Sequence, residues 1–304
     1  MSKAITFSEY GAPEVLRLSE VTPPTPGPGQ VRIKVRAASV NPIDMKIRSG
    51  LMARMARMAP ADFPVVPGLD AAGVVDAVGE GAGATVGDEV LGSAVGGSYA
   101  EYALLEGAVA KPEALSWEVA ASLVTVGRTA ARGLAQLGVQ AGQTLLIHGA
   151  AGSVGVTAVQ LAAARGITVI GTAAERDLER VTALGATAVR YGDGWLERVG
   201  AAAPGGVDFV FDASGAGVLV DSVALTGDAG RVITIADMTA AQHGVRFSAG
   251  TSEHIGESLP ELVQLAAAGK LTVPVWRTYP LAEAARAQAD LEAHRNQGKA
   301  VLVP

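Results

Sequence analysis

The stretch Leu145-Leu146-Ile147-His148-Gly149-Ala150-Ala151-Gly152-Ser153-Val154-Gly155 decides the fold. The run from Leu145 to Ala164 carries no formally charged side chain and reaches membrane-spanning length. Gly149, Gly152 and Gly155 interrupt it, and His148, Ser153, Thr157 and Gln160 are polar, so the expected form is a buried strand (144–148), a turn and a helix to Ala164. The last six residues read A-x-G-x-x-G. In such a turn Gly152 lets the backbone approach a pyrophosphate, Gly155 lets helix and sheet pack closely, and the N–H groups at the helix start face the phosphates. Ala150 stands where the first glycine of the dinucleotide fingerprint usually sits. A glycine pattern alone serves equally as a structural turn; the strand before it, the helix after it and the β-α-β continuation favour a dinucleotide.

Downstream, the next strand ends in Gly171, Thr172 and Ala173. An NAD site usually has a carboxylate there for the ribose hydroxyls, and that carboxylate would repel a 2′-phosphate. Glu175 falls later, in the helix start, while Arg176 and Arg180 are placed to approach a phosphate, so NADP is favoured over NAD. The competing reading makes Glu175 a first-turn acid and both arginines solvated. Alternating segments follow: strand Thr168–Ile170, helix Glu175–Leu184, then strands Ala188–Arg190, Val207–Phe211, Arg231–Ile235 and Val245–Ser248. Short β segments joined by helical crossovers imply a parallel sheet covered on both faces. Before the turn, two helices are expected, Trp117–Leu123 and Arg128–Leu137.

Upstream the chain is β-rich. Val31 to Ala37 alternates apolar and basic residues after a proline-rich connector, and Gly73–Val78, Glu89–Leu91 and Tyr99–Leu104 are further short strands between glycine turns. The tail, with strand Val273–Trp276, helix Leu281–Ala293 and strand Lys299–Val303, returns to this first part. With 304 residues the chain has room for about two domains.

Composition narrows the chemistry. With 49% apolar and 18% charged residues the chain is globular. It has no cysteine, which excludes disulfides, thiolate zinc sites, thiolate-held iron–sulfur clusters and a thiol nucleophile, and leaves His148, His243, His254 and His294 as the imidazoles. A formal charge of −6 gives no footprint for nucleic acid or an anionic membrane, so small-molecule partners are favoured. Met1 to Pro13 has no apolar core of signal-peptide length, and the expected location is the cytoplasm.

Across its length the sequence resembles the zinc-free branch of the medium-chain dehydrogenase/reductase superfamily, the NADPH:quinone oxidoreductases of zeta-crystallin type. The likeness rests on Ala38-Ser39-Val40-Asn41-Pro42-Ile43-Asp44, Ile47-Arg48-Ser49-Gly50, Pro67-Gly68-Leu69-Asp70-Ala71-Ala72-Gly73, Gly97-Ser98-Tyr99-Ala100-Glu101-Tyr102, the glycine turn, Leu184-Gly185-Ala186, Asp208 to Gly215 and Gly298-Lys299. It implies an α/β protein: a GroES-like β-rich catalytic domain (1–118 with 265–304), a Rossmann-fold parallel-sheet NADPH-binding domain (119–264), and a cleft where they meet. Zinc-dependent relatives would have cysteine at Asn41 and histidine at Leu69, and neither ligand is present. Without a Lewis acid, alcohol chemistry loses its means, whereas a quinone or activated alkene is already electrophilic.

The resemblance further implies that Ala151, Gly152, Ser153, Val154 and Gly155 hold the pyrophosphate. Thr172, Ala174, Arg176 and Tyr191 would surround the adenosine ribose and its 2′-phosphate, Thr129, Ser214, Ile235 and Ala236 the nicotinamide side, and Lys299 would reach the cofactor. Asn41 and Asp44 would face the nicotinamide, Asn41 donating to a substrate oxygen as hydride arrives, although Asn-Pro-Ile-Asp also suits a simple turn. Eleven residues after that asparagine many relatives have a tyrosine; here the residue is Met52, which lowers the enoyl-thioester reading and leaves Lys46 as the nearest alternative proton donor. The repeat in Leu51-Met52-Ala53-Arg54-Met55-Ala56-Arg57-Met58 reads either as a flap whose Met52 and Met55 wall a flat aromatic substrate or as an ordinary methionine helix face.

The expected activity is zinc-independent, NADPH-dependent quinone reduction. The rivals are an enone or enoyl reductase on the same scaffold and a catalytically silent NADPH-binding protein. A homodimer is expected, with strand Val245-Arg246-Phe247-Ser248 as its edge.

Overall fold

The chain opens with an antiparallel pair, β1 (Ser2–Thr6) and β2 (Arg17–Val21). Next comes the long β3 (Gln30–Val40), where Val31, Ile33 and Val35 are buried and the intervening basic residues lie less covered, as period-two patterning requires. Helices α1 (Pro42–Arg48) and α2 (Leu51–Arg54) follow, then β4 (Asp70–Val78), β5 (Glu89–Val95), β6 (Tyr102–Ala110) and helix α3 (Trp117–Leu137). This computed structural model describes residues 1–54, 62–250, 258–295 and 297–304. It divides into two units, Met1–Thr125 with Val273–Pro304, and Val126–Thr272.

In the second unit the order is β7 (Thr144–His148), α4 (Ser153–Ala164), β8 (Thr168–Ala173), α5 (Leu178–Ala183), β9 (Thr187–Arg190), α6 (Trp195–Ala202), β10 (Phe209–Asp212), α7 (Leu219–Thr226), β11 (Val232–Thr234), β12 (Arg246–Phe247) and α8 (Leu259–Ala267). Its six strands run parallel in the order β12-β11-β10-β7-β8-β9. The winding reverses between β7 and β10, and the crevice beyond the carboxyl ends of such a pair is where open α/β sheets take ligands. The run from Leu145 to Ala164 is thus divided into β7 and α4. Among the described residues no helix is long and apolar enough to cross a membrane.

The chain then returns to the first unit with β13 (Val275–Pro280), α9 (Ala284–Glu292) and β14 (Lys299–Val303). The sheet there has the order β13-β14-β3-β4-β5-β6, and an extra β3–β6 pairing closes its four-strand part on itself. The molecule is α/β, with a GroES-like sheet unit and a Rossmann-like parallel-sheet unit. Register decides what meets at the end of β3: Ala300 pairs with Val40, and Ser39 with Asp70.

Several element boundaries depart from the sequence reading. Trp117–Leu123 and Arg128–Leu137 form one helix of 21 residues. Val124 and Val126, in the stretch between the two expected helices, are buried, and packing overrides the weaker helix propensity of its β-branched and glycine residues. Helix Glu175–Leu184 begins as a 3-10 turn (Glu175–Asp177), as does the tail helix (Leu281–Glu283). The strand expected over Val245–Ser248 is shortened to Arg246 and Phe247, with the Ser248 N–H still donating to the Thr234 carbonyl of β11.

Close approach explains the glycines of the turn. A Cβ on Gly155 would lie 2.1 Å from the Gly149 carbonyl oxygen, so α4 reaches the turn only without a side chain there. Gly149 has φ +73°, a left-handed conformation that favours glycine. Gly155→Ala is expected to cost about 1–3 kcal/mol in urea unfolding through overpacking. Gly152→Ala, whose Cβ meets only the Gly149 oxygen at 3.3 Å, is expected to cost less.

Candidate active site

At the nucleotide turn, Gly152 caps α4, and the first bond of the helix runs from the Val156 N–H to the Gly152 carbonyl. The amides of Ser153, Val154 and Gly155 precede that bond and are free to meet an anion. Arg180 donates through Nη2 to the Ala151 carbonyl at 3.0 Å and to Asp177 at 3.0 Å, while its Nη1 is buried without a partner. A free helix start beside an unspent guanidinium N–H fits a pyrophosphate, so the turn suits the dinucleotide that the sequence suggested.

Around that turn the expected residues separate. Thr172 is buried and turned inward: Oγ1 lies 3.2 Å from His148 Nδ1 and 3.4 Å from the Gly149 N–H. Its part is to brace the turn. No carboxylate ends β8; Ala174 follows it, Glu175 is exposed, and Arg176 is exposed beside Asp177 at 3.6 Å. Tyr191 is exposed and tied by its N–H to the Ala173 carbonyl. Ser214 donates from both N–H and Oγ to Asp212 Oδ1 at the end of β10, and Ile235 and Ala236 follow β11, where their amides bond Asp212 O and Thr234 Oγ1. Thr129 is half-buried on α3.

His148, one of the four imidazoles, ends β7. The ring sits between Thr172 and Ser222 Oγ (3.3 Å from Nε2) and edge-on to Trp195. Burial holds its pKa down to about 4 despite the nearby Asp212, so the imidazole is neutral and the floor of the turn carries no cation.

In the first unit a second polar group is buried. Asn41 caps α1 with its backbone: its N–H donates to Asp44 Oδ2 at 2.8 Å, and its carbonyl accepts from the Asp44 N–H. The amide side chain also has partners outside its own helix. Nδ2 donates to Asp70 Oδ2 at 2.9 Å, and Oδ1 accepts from Lys299 Nζ at 2.6 Å. An ammonium on one side and a carboxylate on the other fix which end of the amide is which. Lys299 also donates to the Val40 carbonyl, and Asp70 accepts from Thr125 Oγ1 at 2.6 Å. Tyr99 donates to Asp44 Oδ2 at 3.0 Å, whereas Asp44 Oδ1 is buried with no partner.

The structure therefore brings together Asn41, Asp44 and Lys299 from the sequence reading and adds Asp70, Tyr99 and Thr125. Asp70 and Tyr99 stood in motifs that carried the resemblance without a role of their own, and that was the signal available for them; Thr125 stood in none. Lys46 is half-buried on α1 and makes no side-chain hydrogen bond among the described residues. Met52 is half-buried on α2, whereas Met55 lies outside the described residues, so the flap has no structural account.

Burial dominates the electrostatics. It pushes Asp44 up to about 7, with Asp70 adding to the rise and the Asn41 N–H, Tyr99 and Lys299 opposing it. It also raises Asp70, against Lys299, Thr125 and Asn41, and lowers Lys299 to about 8, against both carboxylates. Between the ordinary carboxylate range and pH about 7 the folded state keeps a proton on Asp44 that the unfolded chain has released, so this group's contribution to stability falls as pH rises. Asp44→Asn removes the term. Urea unfolding across that window is expected to show the variant gaining stability relative to the unsubstituted chain as pH rises; a constant difference contradicts the assignment.

Comparison with known proteins agrees with this geometry. The alcohol dehydrogenase GroES-like domain family matches residues 27–114, and the zinc-binding dehydrogenase family matches residues 184–302. The human quinone oxidoreductase is 34% identical over 322 residues, covering 97% of this chain and 94% of its own. Among solved structures, the quinone oxidoreductase from Coxiella burnetii has a TM-score of 0.85 at 32% identity, covering 100% of this chain and 99% of its own. That of Escherichia coli, complexed with NADPH, has a TM-score of 0.86 at 27% identity, covering 99% and 100%. The zinc in one family description does not fit the donors here: Asn41 carries a lysine ammonium on its oxygen, and Leu69 offers no ligand atom. Full-length likeness, a phosphate-ready glycine turn and an amide in place of a metal-ligand pair place this chain in the quinone oxidoreductase family of the medium-chain dehydrogenases/reductases.

Proposed function

We propose that this chain is a zinc-independent oxidoreductase that passes a hydride from NADPH to a quinone. The observation that carries this reading is the buried amide of Asn41, tied to Asp70 and Lys299 at the position where a metal-dependent relative would place a thiolate. Such a site polarises a substrate oxygen by hydrogen bonding and does not ionise an alcohol, so it suits an acceptor that is electrophilic beforehand.

When bound, NADPH supplies the hydride; the chain supplies binding, orientation and charge stabilisation. The free amides of Ser153, Val154 and Gly155, with Arg180 beside them, take the pyrophosphate. Arg176 takes the 2′-phosphate, which no carboxylate at the end of β8 repels, and Tyr191 flanks it. Ser214, Ile235, Ala236 and Thr129 serve the nicotinamide side. Asn41 has a second Nδ2 hydrogen beyond the one given to Asp70, and this N–H meets the acceptor oxygen as it gains negative charge. Asp44, raised to about 7 and carrying an unpartnered Oδ1, is the group suited to hold a proton nearby. Reduction of an enoyl thioester finds no phenol at Met52. The protein acts as a homodimer joined through β12, which lies at the open edge of the parallel sheet.

Steady-state NADPH oxidation with 1,4-benzoquinone tests the reading. Turnover with NADPH is expected to exceed that with NADH. Arg176→Ala is expected to raise KM for NADPH about tenfold and leave that for NADH unchanged, as loss of a phosphate contact predicts. Asn41→Ala is expected to lower kcat by about 10²-fold, the usual cost of removing an oxyanion donor. Equal use of both nucleotides by parent and variant would overturn the choice of NADPH.

A further inference from the structure

The end of the chain carries a lysine that the resemblance directs towards the cofactor, and two of its three ammonium hydrogens are used inside the first unit. Lys299 is 3% exposed, and its Nζ lies 2.6 Å from Asn41 Oδ1 and 3.0 Å from the Val40 carbonyl. The opposite end of the same amide is held by Asp70, itself buried and fixed by Thr125 Oγ1 at 2.6 Å. Three strand ends converge here because β14 pairs with β3 and β3 with β4 in the registers given above. Asp44 holds the same residue from the helix side by accepting the Asn41 backbone N–H.

We propose that Lys299 and Asp70 are positioning residues for Asn41: together they lock the amide in one rotamer and one flip state, so that its remaining Nδ2–H is aimed at the acceptor oxygen. The inference rests on the quinone reductase reading for the identity of that oxygen. The locking itself does not depend on it. An ammonium on the amide oxygen also draws electron density from the nitrogen and makes its N–H a stronger donor. A neutral lysine would donate more weakly, and a carbon chain not at all, leaving the amide free to turn over. The groups facing the ammonium are Asp70 on β4, Asp44 on α1, the Asn41 amide and the Val40 carbonyl, with Tyr99 acting through Asp44 and Thr125 through Asp70. No other cation faces it among the described residues.

A double-mutant cycle on the full chain tests this. Lys299→Met is expected to lower kcat with 1,4-benzoquinone by about 10–10²-fold, while the calorimetric Kd for NADPH stays within about threefold. In an Asn41→Ala background the same substitution is expected to change kcat by less than about twofold, because the lysine acts through the amide. A large loss of NADPH affinity at unchanged kcat, or losses that multiply in the double variant, would overturn the proposal. Should Lys299→Met fail to fold, nitrogen NMR of the Asn41 side-chain amide in the unsubstituted chain decides. Its order parameter is expected to match that of rigid backbone, about 0.85, and a value below about 0.6, typical of a flexible group, would overturn the idea. The NMR readout also separates the two failures: absent quinone turnover with a rigid amide sinks the substrate reading and leaves the locking intact.

Discussion

One strand pairing carries the first unit's chemistry. By closing on β3 with Ala300 opposite Val40, β14 drives a lysine ammonium into a region that already holds Asp44 and Asp70. Removing an ammonium and two carboxylates from water is costly unless each finds partners. Lys299 finds the Val40 carbonyl and the Asn41 amide; Asp70 finds Asn41 and Thr125; Asp44 finds the Asn41 N–H and Tyr99. The unpartnered Asp44 Oδ1, together with a pKa raised to about 7, marks where the balance is incomplete and where a proton is most easily kept. The cluster is a charge-compensated amide site, assembled by residues far apart in sequence and held by sheet register.

The second unit answers a different demand with a different device. Its ligand is expected to bring the negative charge, so the turn offers unsatisfied N–H groups at the start of α4 and keeps side chains away. Gly155 exists to let the helix touch the Gly149 carbonyl, and a neutral His148 braces Thr172 beneath the turn. Charging the imidazole is opposed by its own burial, with only Asp212 acting in the other direction. Burial keeps it uncharged.

Much of the fold was legible because periodicity and glycine placement are local signals. The strand Leu145 to His148 and its following helix could be read directly, as could the alternation along β3 and the absence of a carboxylate after β8. Asn41, Asp44 and Lys299 were all singled out, but the contact between the first and last of them was not, since nothing local in Gly298-Lys299 says which strand it will lie beside. The inward turn of Thr172 was hidden for a similar reason: its hydroxyl answers to His148, 24 residues away. Arg48 belonged to a motif of the resemblance, but its buried bond to Gln288 could not be read there, because the partner lies 240 residues away. Helix α3 runs through the gap between the two expected helices because its middle is buried, which no local signal shows.

The account rests on an amide site that needs no metal to activate an acceptor already short of electrons, although one of the matching families is described as zinc-binding. The most direct test is NADPH oxidation by a quinone before and after exhaustive dialysis against a chelator, with the metal content of the protein measured in parallel. The account predicts an unchanged rate from protein that holds far less than one zinc per chain. A rate abolished by the chelator and restored by added zinc would contradict it.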